Sequence, residues 1–217
     1  MNQVEKKNKV AEAALEYIEN GQVVGIGSGS TVNYFINMLD KVKSKIEAVV
    51  SSSELTTKLV ESKNIKVIEL REAGKIPIYI DGADESNKFK QLIKGGGGAL
   101  TREKIVAHSS SKFICMIDDS KYVGMLGRFP LPIEVIKMAQ SSIAMEMIKL
   151  GGRPVLRENF ITDNGNIILD VHGLEINEPI KLEEFLNNIP GIVTNGLFAI
   201  RSADKLLIAN GKNIDVI

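Results

Sequence analysis

A short stretch of the chain, residues 81–105, combines carboxylates, an amine and bare backbone in a way that suits acid–base chemistry. Three carboxylates fall within 81–85, and Lys94, four consecutive glycines at 95–98 and Glu103 follow. Sheltered carboxylates can be tuned to take and give protons, and an ammonium can stabilise negative charge that develops on oxygen. Four glycines are costly to order, which indicates a backbone that bends tightly or lies against a ligand.

Each part of this stretch also has a plainer interpretation. Asp81-Gly82 alone is typical of a solvated turn, and Glu103 in the first turn of a helix is favoured by the helix dipole alone. Asp81, Asp84 and Glu85 together could hold Mg²⁺, although no spacing of His, Cys and Asp resembles a zinc site. The residues themselves leave the structural, catalytic and Mg²⁺ interpretations open.

A second candidate site is the segment "GIGSGST" at 25–31, a glycine-rich turn that leads into an apolar helical pattern. Backbone amides, the hydroxyls of Ser28, Ser30 and Thr31, and the positive end of the helix suit an anion such as phosphate. The alternative is a tight turn with a helix cap at Ser30 or Thr31. A nicotinamide site is disfavoured, because Ser30 replaces the third glycine of the dinucleotide pattern and "VVSSS" ends the next strand without an acid.

The elements that must position these residues alternate between strand and helix from residue 4 to about 126. Short apolar strands separated by amphipathic helices predict right-handed βαβ units and a mainly parallel α/β sheet with helices on both faces. The predicted strands are "QVVGIG" (22–27), "IEAVV" (46–50), "IKVIEL" (65–70), "IPIYI" (76–80) and "KFICMI" (112–117).

Polar loops follow four of these strands. In an open parallel sheet the carboxyl ends of the strands share one edge, where ligands bind. We therefore expect the loops to converge on one crevice, which supports a binding site more strongly than any single motif. The loops are "GSGST" (27–31), "SSS" (51–53), "DGADE" (81–85) and "DDSK" (118–121).

The pattern changes after residue 128. A strand in "GRFPLPIEV", a helix ending at Gly151, a hairpin marked by Asn164-Gly165, a helix at 181–189 and a strand at 192–200 follow in order. This order predicts a smaller, ferredoxin-like α+β domain. We expect a catalytic domain of residues 1–128 and about 203–217, and a second domain of residues 129–202.

The composition excludes several classes of protein. The chain has 217 residues, 44% of them hydrophobic, with 27 basic and 27 acidic side chains. This is typical of a folded globular protein and leaves no excess positive charge for nucleic acid. The first 21 residues lack the apolar core of a signal peptide and no stretch approaches a membrane span, so we expect a cytoplasmic protein. The single cysteine, Cys115, is interpreted as a core residue.

Several motifs, in order along nearly the whole chain, together resemble the type A ribose-5-phosphate isomerase family. Two positions depart from that family's pattern, since Ser28 stands where threonine is common and Gly98 where alanine is common. Each replacement keeps a hydroxyl or a small residue. The motifs are "GIGSGST", "VSSSE", "YIDGADE", "IKGGGGALTREKI", "KFICMIDDSK", "GRFPLPIEV", "LGGRP" and "TDNGNIILDVHG".

The resemblance implies an enzyme that interconverts ribose 5-phosphate and ribulose 5-phosphate in the pentose phosphate pathway, without a metal or an organic cofactor. Glu103 would be the base that moves a proton between C2 and C1 of the sugar through an enediolate intermediate. Lys94 would stabilise the oxygens of that intermediate. Asp81 and Asp84 would bind sugar hydroxyls and assist ring opening and proton movement between O1 and O2.

The resemblance also implies a Rossmann-like domain with a smaller α+β domain, and a homodimer or homotetramer. The expected ligand is a small sugar phosphate, with neither nucleic acid nor a membrane as a partner. The implied ligand-binding residues are Ser28, Gly29, Ser30, Thr31, Asp81, Gly82, Ala83, Asp84, Lys94, Gly95, Gly96, Gly97 and Lys121.

Two functions of other kinds stay open. One is a non-enzymatic sugar-phosphate sensor of the kind found in some bacterial regulators, although no helix-turn-helix pattern precedes the sheet in this sequence. The other is a relative of the coenzyme A transferases with a glutamate nucleophile, which this chain length disfavours. Incubation with ribose 5-phosphate separates both from the isomerase.

Overall fold

The computed structural model describes residues 1–211 and 213–217, which form two compact units. Unit 1 contains residues 1–83, 102–122 and 203–217, and unit 2 contains residues 84–101 and 123–202. The α-helices are α1 (Gln3–Leu15), α2 (Ser30–Asn37), α3 (Glu54–Glu61), α4 (Leu70–Ala73), α5 (Leu100–His108), α6 (Gln140–Lys149) and α7 (Pro179–Asn187). The strands are β1 (Gln22–Ile26), β2 (Ile46–Ser51), β3 (Ile76–Gly82), β4 (Glu85–Ser86), β5 (Leu92–Ile93), β6 (Ser110–Asp118), β7 (Leu131–Val135), β8 (Arg153–Leu156), β9 (Ile167–His172), β10 (Ile192–Asn195), β11 (Leu197–Phe198), β12 (Lys205–Asn210) and β13 (Asn213–Val216).

Unit 1 is built on a six-stranded sheet with the order β13-β12-β6-β3-β1-β2. Its five strands β2, β1, β3, β6 and β12 run parallel to one another, and β13 pairs antiparallel with β12 at one edge. The mainly parallel α/β sheet expected from the alternating pattern is confirmed. The end of the chain returns to this sheet as its last two strands.

Helices cover both faces of this sheet. Successive residues of a strand point to opposite faces, so neighbouring residues of β1 contact different helices. Val24 and Ile26 of β1 belong to the core that includes α1 and α2. Gly25, between them, faces the other way. A Cβ at Gly25 would lie 2.9 Å from Tyr79 of β3 and 3.0 Å from Val106 of α5, so α5 packs closely on this second face.

The four polar loops predicted to share one edge begin at the same edge of the sheet in unit 1. Strands β1, β2, β3 and β6 are parallel neighbours in register, and each ends immediately before or within one of these loops. Gly27 N–H donates to the Ile80 carbonyl at 2.9 Å, and Ser52 N–H donates to the Ile26 carbonyl at 3.0 Å. These bonds carry the sheet pairing one residue beyond the strands and fix where the loops begin.

Unit 2 contains an antiparallel four-stranded sheet with the order β10-β7-β9-β8. In chain order these are the fourth, first, third and second strands, with α6 and α7 as the connecting helices. This is the predicted ferredoxin-like arrangement. A second, three-stranded sheet pairs β4 with β5 and β5 with β11. Residues 84–101, which contain β4 and β5, group with unit 2. The predicted domain limits stay a prediction.

The predicted hairpin joins β8 to β9 through a long connection at 157–166. Gly165 has a φ of 83°, the conformation for which the Asn-Gly pair is suited. A fully buried carboxylate, Glu134 of β7, holds the connection by accepting hydrogen bonds from Thr162, Asn164 and Asn166. These neutral donors satisfy a charge that would otherwise be costly to bury.

Two predicted strands differ in the structure. Residues 65–70 form a single bridge, between Val67 and Val49, and then enter α4, so the strand prediction was wrong there. The predicted strand at 192–200 is interrupted at Gly196, and its two parts belong to different sheets.

None of the helices in the described part of the chain has the length and apolar character that a membrane span requires.

Candidate active site

Glu103 lies in the first turn of α5, and its side chain is buried. Its Oε1 accepts a 2.6 Å hydrogen bond from Ser28 Oγ, in the loop after β1. A carboxylate in this helical turn is favoured by the helix dipole, as the plainer interpretation holds. The contact with Ser28 is a further feature, because it brings together two motifs that are 75 residues apart in the chain.

Asp81, at the end of β3, is fully buried, and both of its oxygens accept hydrogen bonds from the protein. Its Oδ1 accepts from Ser28 N–H at 3.1 Å and from Gly82 N–H at 2.7 Å, and its Oδ2 accepts from the Tyr79 hydroxyl. A Cβ at Gly27 would overlap this carboxyl group, so glycine is required there. Asp81 is therefore not the solvated turn residue of the plainer interpretation.

Tyr79 is a polar residue of this site that the sequence interpretation missed. It is fully buried in β3, and its ring centre lies 5.0 Å from that of Phe113. Burial raises the pKa of the Tyr79 hydroxyl well above its usual value of 10.0, and the charges of Asp81 and Glu103 raise it further. The Tyr79 hydroxyl therefore stays protonated at neutral pH and acts as a hydrogen-bond donor. We call Ser28, Tyr79, Asp81 and Glu103 the sheet-edge cluster.

The glycine-rich turn presents the start of α2 without a side-chain cap. The N-cap residue is Gly29, with a φ of 104°, and this position makes no side-chain cap hydrogen bond. The alternative of a cap at Ser30 or Thr31 was therefore wrong. Ser30 is exposed and its Oγ accepts from Lys7 Nζ at 2.9 Å, while the buried Thr31 hydroxyl has no hydrogen-bond partner among the described residues. This is a turn whose donors are available to an anion.

The two remaining predicted positions of unit 1 contact each other. Lys121 Nζ donates to the Ala83 carbonyl at 2.6 Å, which ties the loop after β6 to the loop after β3. In the loop after β6, Asp118 Oδ1 accepts from Ser120 N–H at 3.0 Å. The other oxygen, Asp118 Oδ2, is buried and has no hydrogen-bond partner within the described chain.

Unit 2 holds the other predicted residues, in the strands and loop at 84–98. Asp84 is half-buried, and its Oδ2 accepts from Gly96 N–H at 2.8 Å. Lys94 is buried, its N–H donates to the Gly196 carbonyl at 2.9 Å, and its Nζ lies 5.6 Å from the Phe198 ring centre. We call Asp84, Lys94 and the glycines 95–98 the glycine-run cluster.

The four glycines of this run have different surroundings. Gly95 has a φ of 103°, and a Cβ there would lie 2.9 Å from Leu100, so both backbone and space require glycine. Gly96 and Gly97 are exposed. Gly98 has a φ of 85°, and the ring of Phe160 fills the place of its Cβ. The run is therefore a shaped loop with two accessible residues in its middle.

Glu85, the third carboxylate of the Mg²⁺ alternative, has a different task in unit 2. Its two oxygens accept from the N–H groups of Gly127 at 2.8 Å and Phe129 at 2.6 Å. Among residues 1–211 and 213–217, no three His, Cys, Asp or Glu side chains are grouped so that they could hold a metal ion.

Most members of both clusters were candidates in the sequence. Three polar side chains were missed, namely Tyr79 in the sheet-edge cluster, Lys7 beside Ser30 and Arg157 beside the glycine run. Tyr79 had a usable signal, because it lies two residues before Asp81 and so on the same face of the strand. Lys7 and Arg157, which contacts the glycine run, had no local signal, since each meets its partner only through tertiary packing.

Comparison with known proteins agrees with these observations. The chain matches the family model described as ribose 5-phosphate isomerase A (phosphoriboisomerase A) over residues 48–213, and a DeoR C-terminal sensor domain over residues 2–71. Ribose-5-phosphate isomerase A of Legionella pneumophila (strain Lens) is 54% identical over 211 residues, which are 97% of this chain and 98% of the relative.

Two solved structures are similar to this chain over its whole length. Ribose 5-phosphate isomerase A from Neisseria gonorrhoeae has a TM-score of 0.97 at 44% identity, over 100% of this chain and 97% of that chain. A D-ribose-5-phosphate isomerase in complex with phospho-erythronic acid has a TM-score of 0.95 at 36% identity, over 100% of this chain and 99% of that chain. Since sequence and structure agree over nearly the full length of each chain, this protein belongs to the ribose-5-phosphate isomerase A family.

Proposed function

We propose that this protein catalyses the reversible aldose–ketose isomerisation of D-ribose 5-phosphate to D-ribulose 5-phosphate. The observation that supports the mechanism most is the buried carboxylate of Glu103, fixed by Ser28 at the carboxyl edge of a parallel sheet. A base at this edge stands where open α/β sheets bind their ligands. Restricted motion is what a positioned general base needs.

Glu103 is proposed to move one proton between two carbons. It removes the proton from C2 of the open-chain aldose, and the C–H electron pair forms a C1–C2 double bond while negative charge develops on O1. The intermediate is an enediolate. A proton passes from O2 to O1. The electrons of the C1–C2 double bond then take the proton of Glu103 at C1, and the negative charge on O2 becomes the C2 carbonyl.

The charge on the enediolate oxygens needs a stabilising partner, and Lys94 is the proposed one. A buried ammonium loses little of its effect to water, and it needs no reorganisation when the charge develops. The backbone amide of the exposed Gly97 is a further donor of the same kind. We propose that no metal and no organic cofactor takes part.

Asp81 and Asp84 are proposed to bind sugar hydroxyls and to assist ring opening. Asp84 is the better suited of the two for direct contact, because it is half-buried and one of its oxygens has the Gly96 amide as donor. Asp81 is fully buried, and both of its oxygens already accept from the protein. Its proposed contribution therefore depends more on holding the Ser28 loop.

The phosphate of the substrate is proposed to lie at the start of α2. Residues 28–31 supply amides and hydroxyls, and the buried hydroxyl of Thr31 has no partner among the described residues. Lys7, which contacts Ser30, and Lys121 supply positive charge. The solved relative that binds phospho-erythronic acid supports a ligand of this class, because that compound joins a phosphate to a short polyhydroxy acid.

The direct test is incubation of the purified protein, dialysed against EDTA, with ribose 5-phosphate and detection of ribulose 5-phosphate by NMR. We expect turnover that survives chelation, and a far lower kcat/KM for free ribose, since binding energy from the phosphate is used at the reacting carbons. Failure to form the ketose would refute the isomerase. Restoration of lost turnover by Mg²⁺ or Mn²⁺ would refute the metal-free mechanism.

A sensor is the second candidate, and the match of residues 2–71 to a DeoR sensor domain is the observation that favours it. A sensor would bind sugar phosphate, as judged by calorimetry, without forming ketose. The assay above therefore separates the two functions.

We also propose that the enzyme serves the non-oxidative branch of the pentose phosphate pathway, in the cytoplasm, as a homodimer or homotetramer. These statements rest on resemblance to the family. Light scattering on the purified protein tests the oligomeric state, and a monomer at micromolar concentration would contradict it.

A further inference from the structure

Arg157 follows strand β8 in unit 2 and forms a two-pronged ion pair with Asp170 of the neighbouring strand β9. Its Nε donates to Asp170 Oδ2 at 2.8 Å, and its Nη2 donates to Asp170 Oδ1 at 2.6 Å. Both side chains are mostly sheltered, with exposures of 17% and 18%. This geometry fixes the plane of the guanidinium group.

The remaining terminal nitrogen of Arg157 contacts the glycine run. Nη1 donates to the Gly95 carbonyl at 3.2 Å and to the Gly96 carbonyl at 3.3 Å. These contacts join residues about sixty positions apart in the chain. The guanidinium is therefore a bridge between the four-stranded sheet and a loop that the proposed function places at the substrate.

The bridge helps to fix which way the amides of the loop point, together with the Gly98 N–H, which donates to the same Gly95 carbonyl at 2.9 Å. No cis peptide bond occurs in the described chain, and in a trans peptide the carbonyl and the N–H point in opposite directions. When Arg157 holds the Gly95 carbonyl, the Gly96 N–H faces away from it, and there it donates to Asp84 at 2.8 Å. When Arg157 holds the Gly96 carbonyl, the Gly97 N–H likewise faces away from the guanidinium.

The loop has a turn hydrogen bond of its own, from Gly98 N–H to the Gly95 carbonyl, and it needs a restraint beyond this bond. Glycines lose more conformational freedom on ordering than other residues, and Gly96 and Gly97 are exposed. A second contact supports the same loop, since Phe160 occupies the place of a Cβ at Gly98 and its ring centre lies 5.3 Å from Arg157 Cζ. The segment 157–160 therefore braces the run at both of its ends.

We propose that Arg157 is a positioning residue for catalysis, which acts through the backbone of Gly95 and Gly96 to aim their neighbouring amides and to hold Asp84. It does not touch the substrate in this proposal. The proposal rests on the proposed isomerase activity, because the loop it positions is the one that would stabilise the enediolate.

The test is Arg157→Lys, which keeps the positive charge beside Asp170 but has a single nitrogen in place of the fork. We expect kcat for ribose 5-phosphate to fall about 10- to 100-fold, because a misplacement of about 1 Å has this effect. KM should change by less than about threefold, since the phosphate contacts are untouched. Arg71→Lys, at an exposed ion pair with Glu69, is the matched control and should leave kcat within about twofold.

Amide hydrogen exchange, followed by mass spectrometry over residues 94–98, gives a readout that does not depend on activity. We expect Arg157→Lys to speed exchange in this segment at least about tenfold, with exchange in β3 and β6 unchanged. Faster exchange throughout the chain would mean a general loss of stability and would overturn the proposal. Unchanged exchange, or an unchanged kcat, would overturn it as well.

The two proposals fail differently. If the wild-type protein forms no ketose while Arg157→Lys speeds exchange at 94–98, the isomerase is refuted and the restraint by Arg157 stands. If the wild type is active and Arg157→Lys behaves like the control, only the role of Arg157 is refuted. If Arg157→Lys does not fold, Arg157→Ala with about 20 mM guanidinium added is measured, and absence of any recovery of kcat over methylammonium overturns the proposal.

Discussion

The sheet-edge cluster consists of polar side chains, and the glycine-run cluster consists mostly of backbone without side chains. Each side chain of the first cluster comes from a strand, from the loop after it or from the first turn of a packed helix. Asp81 and Tyr79 lie on a central strand and are fully buried. Gly96 and Gly97 are exposed and have no side chains with which to hold themselves. The first cluster is ordered by the core that surrounds it, and the second needs a bracing group from elsewhere in unit 2.

The difference shows that two clusters of candidate residues can be ordered for different physical reasons. Close packing around the sheet-edge cluster makes any added volume costly. The glycine run instead depends on a few directional contacts, from Arg157, Asp84 and Phe160. Substitutions that add volume should therefore affect the first cluster most, and substitutions that remove a brace should affect the second.

Among the variants that compare the two clusters, the largest loss of activity is expected from Gly27→Ala. Its Cβ would overlap the Asp81 carboxyl group, which cannot move without breaking its bonds to Ser28 and Gly82. We expect the free energy of unfolding to fall by about 1–3 kcal/mol and kcat/KM to fall at least about 100-fold. Urea unfolding and steady-state kinetics check both.

The control for this variant is Gly124→Ala, because a Cβ at Gly124 has no neighbour within 4 Å. It should leave stability within about 0.5 kcal/mol and activity unchanged. Wild-type activity in Gly27→Ala would show that the position of the Asp81 carboxylate does not matter for turnover.

Gly98→Ala tests the brace at the far end of the glycine run. Alanine at a φ of 85° is strained, and its Cβ would overlap the Phe160 ring, so we expect a loss of about 2–4 kcal/mol. Gly165→Ala, at a φ of 83° with open space around it, should lose only the backbone part of about 1–2 kcal/mol.

Removal of the ring separates the two terms for Gly98. In the background of Phe160→Val, the additional loss caused by Gly98→Ala should shrink to about the value for Gly165→Ala. A loss that is the same with and without the ring would contradict the role of Phe160 as the group that requires glycine at this position.

Tyr79→Phe sharpens the account of the sheet-edge cluster through its pH dependence. At neutral pH the loss of the hydrogen bond to Asp81 should cost about 1.5–3 kcal/mol. Because the pKa of Tyr79 is raised in the folded state, the unfolded chain loses that proton first, near pH 10. The stability associated with Tyr79 is therefore complete below about pH 10 and falls as the pH rises further.

Urea unfolding between pH 7 and 11 measures this decline. We expect wild type and the exposed-site control Tyr122→Phe to lose stability together above about pH 10, and Tyr79→Phe to lose less. Parallel curves for all three proteins would mean that the buried hydroxyl does not govern the alkaline limit.

The smallest effect is expected from Glu54→Gln. Arg102 donates to Glu54 at 2.7 Å and lowers the pKa of that carboxyl, but Glu54 is exposed. Exposed ion pairs contribute about 0–1 kcal/mol, so activity should stay within about twofold. A larger loss of kcat would mean that this pair helps to position Glu103, the next residue after Arg102 in the chain.

The features of the fold and of the two clusters that could be predicted from the sequence are those encoded by residues close together in the chain. The parallel sheet and its loops followed from short apolar runs and their polar ends, and these are properties of neighbouring residues. Tyr79 lay inside the apolar run "IPIYI" and was overlooked as a core aromatic, although its place two residues before Asp81 put both side chains on the same face of the strand. The segment 65–70 has the pattern of a strand, but beside Val49 it forms only one bridge before the chain turns into α4.

Arg157 shows a different limit. Its bonds to Gly95 and Gly96 depend on how the connection after β8 folds over the glycine run, and nothing in "RPVLREN" encodes that contact locally. The same is true of Phe160, whose ring occupies the place of a Cβ at Gly98. Residues that act by supporting others are the ones that a reading of motifs misses.

The central claim is that Glu103 carries the proton between C2 and C1, and the most direct test is isomerisation of ribose 5-phosphate in D₂O by wild type and by Glu103→Gln. Glutamine has nearly the same shape and can still accept from Ser28, so the fold should persist. We expect wild type to place solvent deuterium at C1 of ribulose 5-phosphate, and the variant to lose about 10⁴-fold in kcat without incorporating deuterium. Retention of more than about a tenth of kcat with normal incorporation would assign the base to another group and contradict the mechanism.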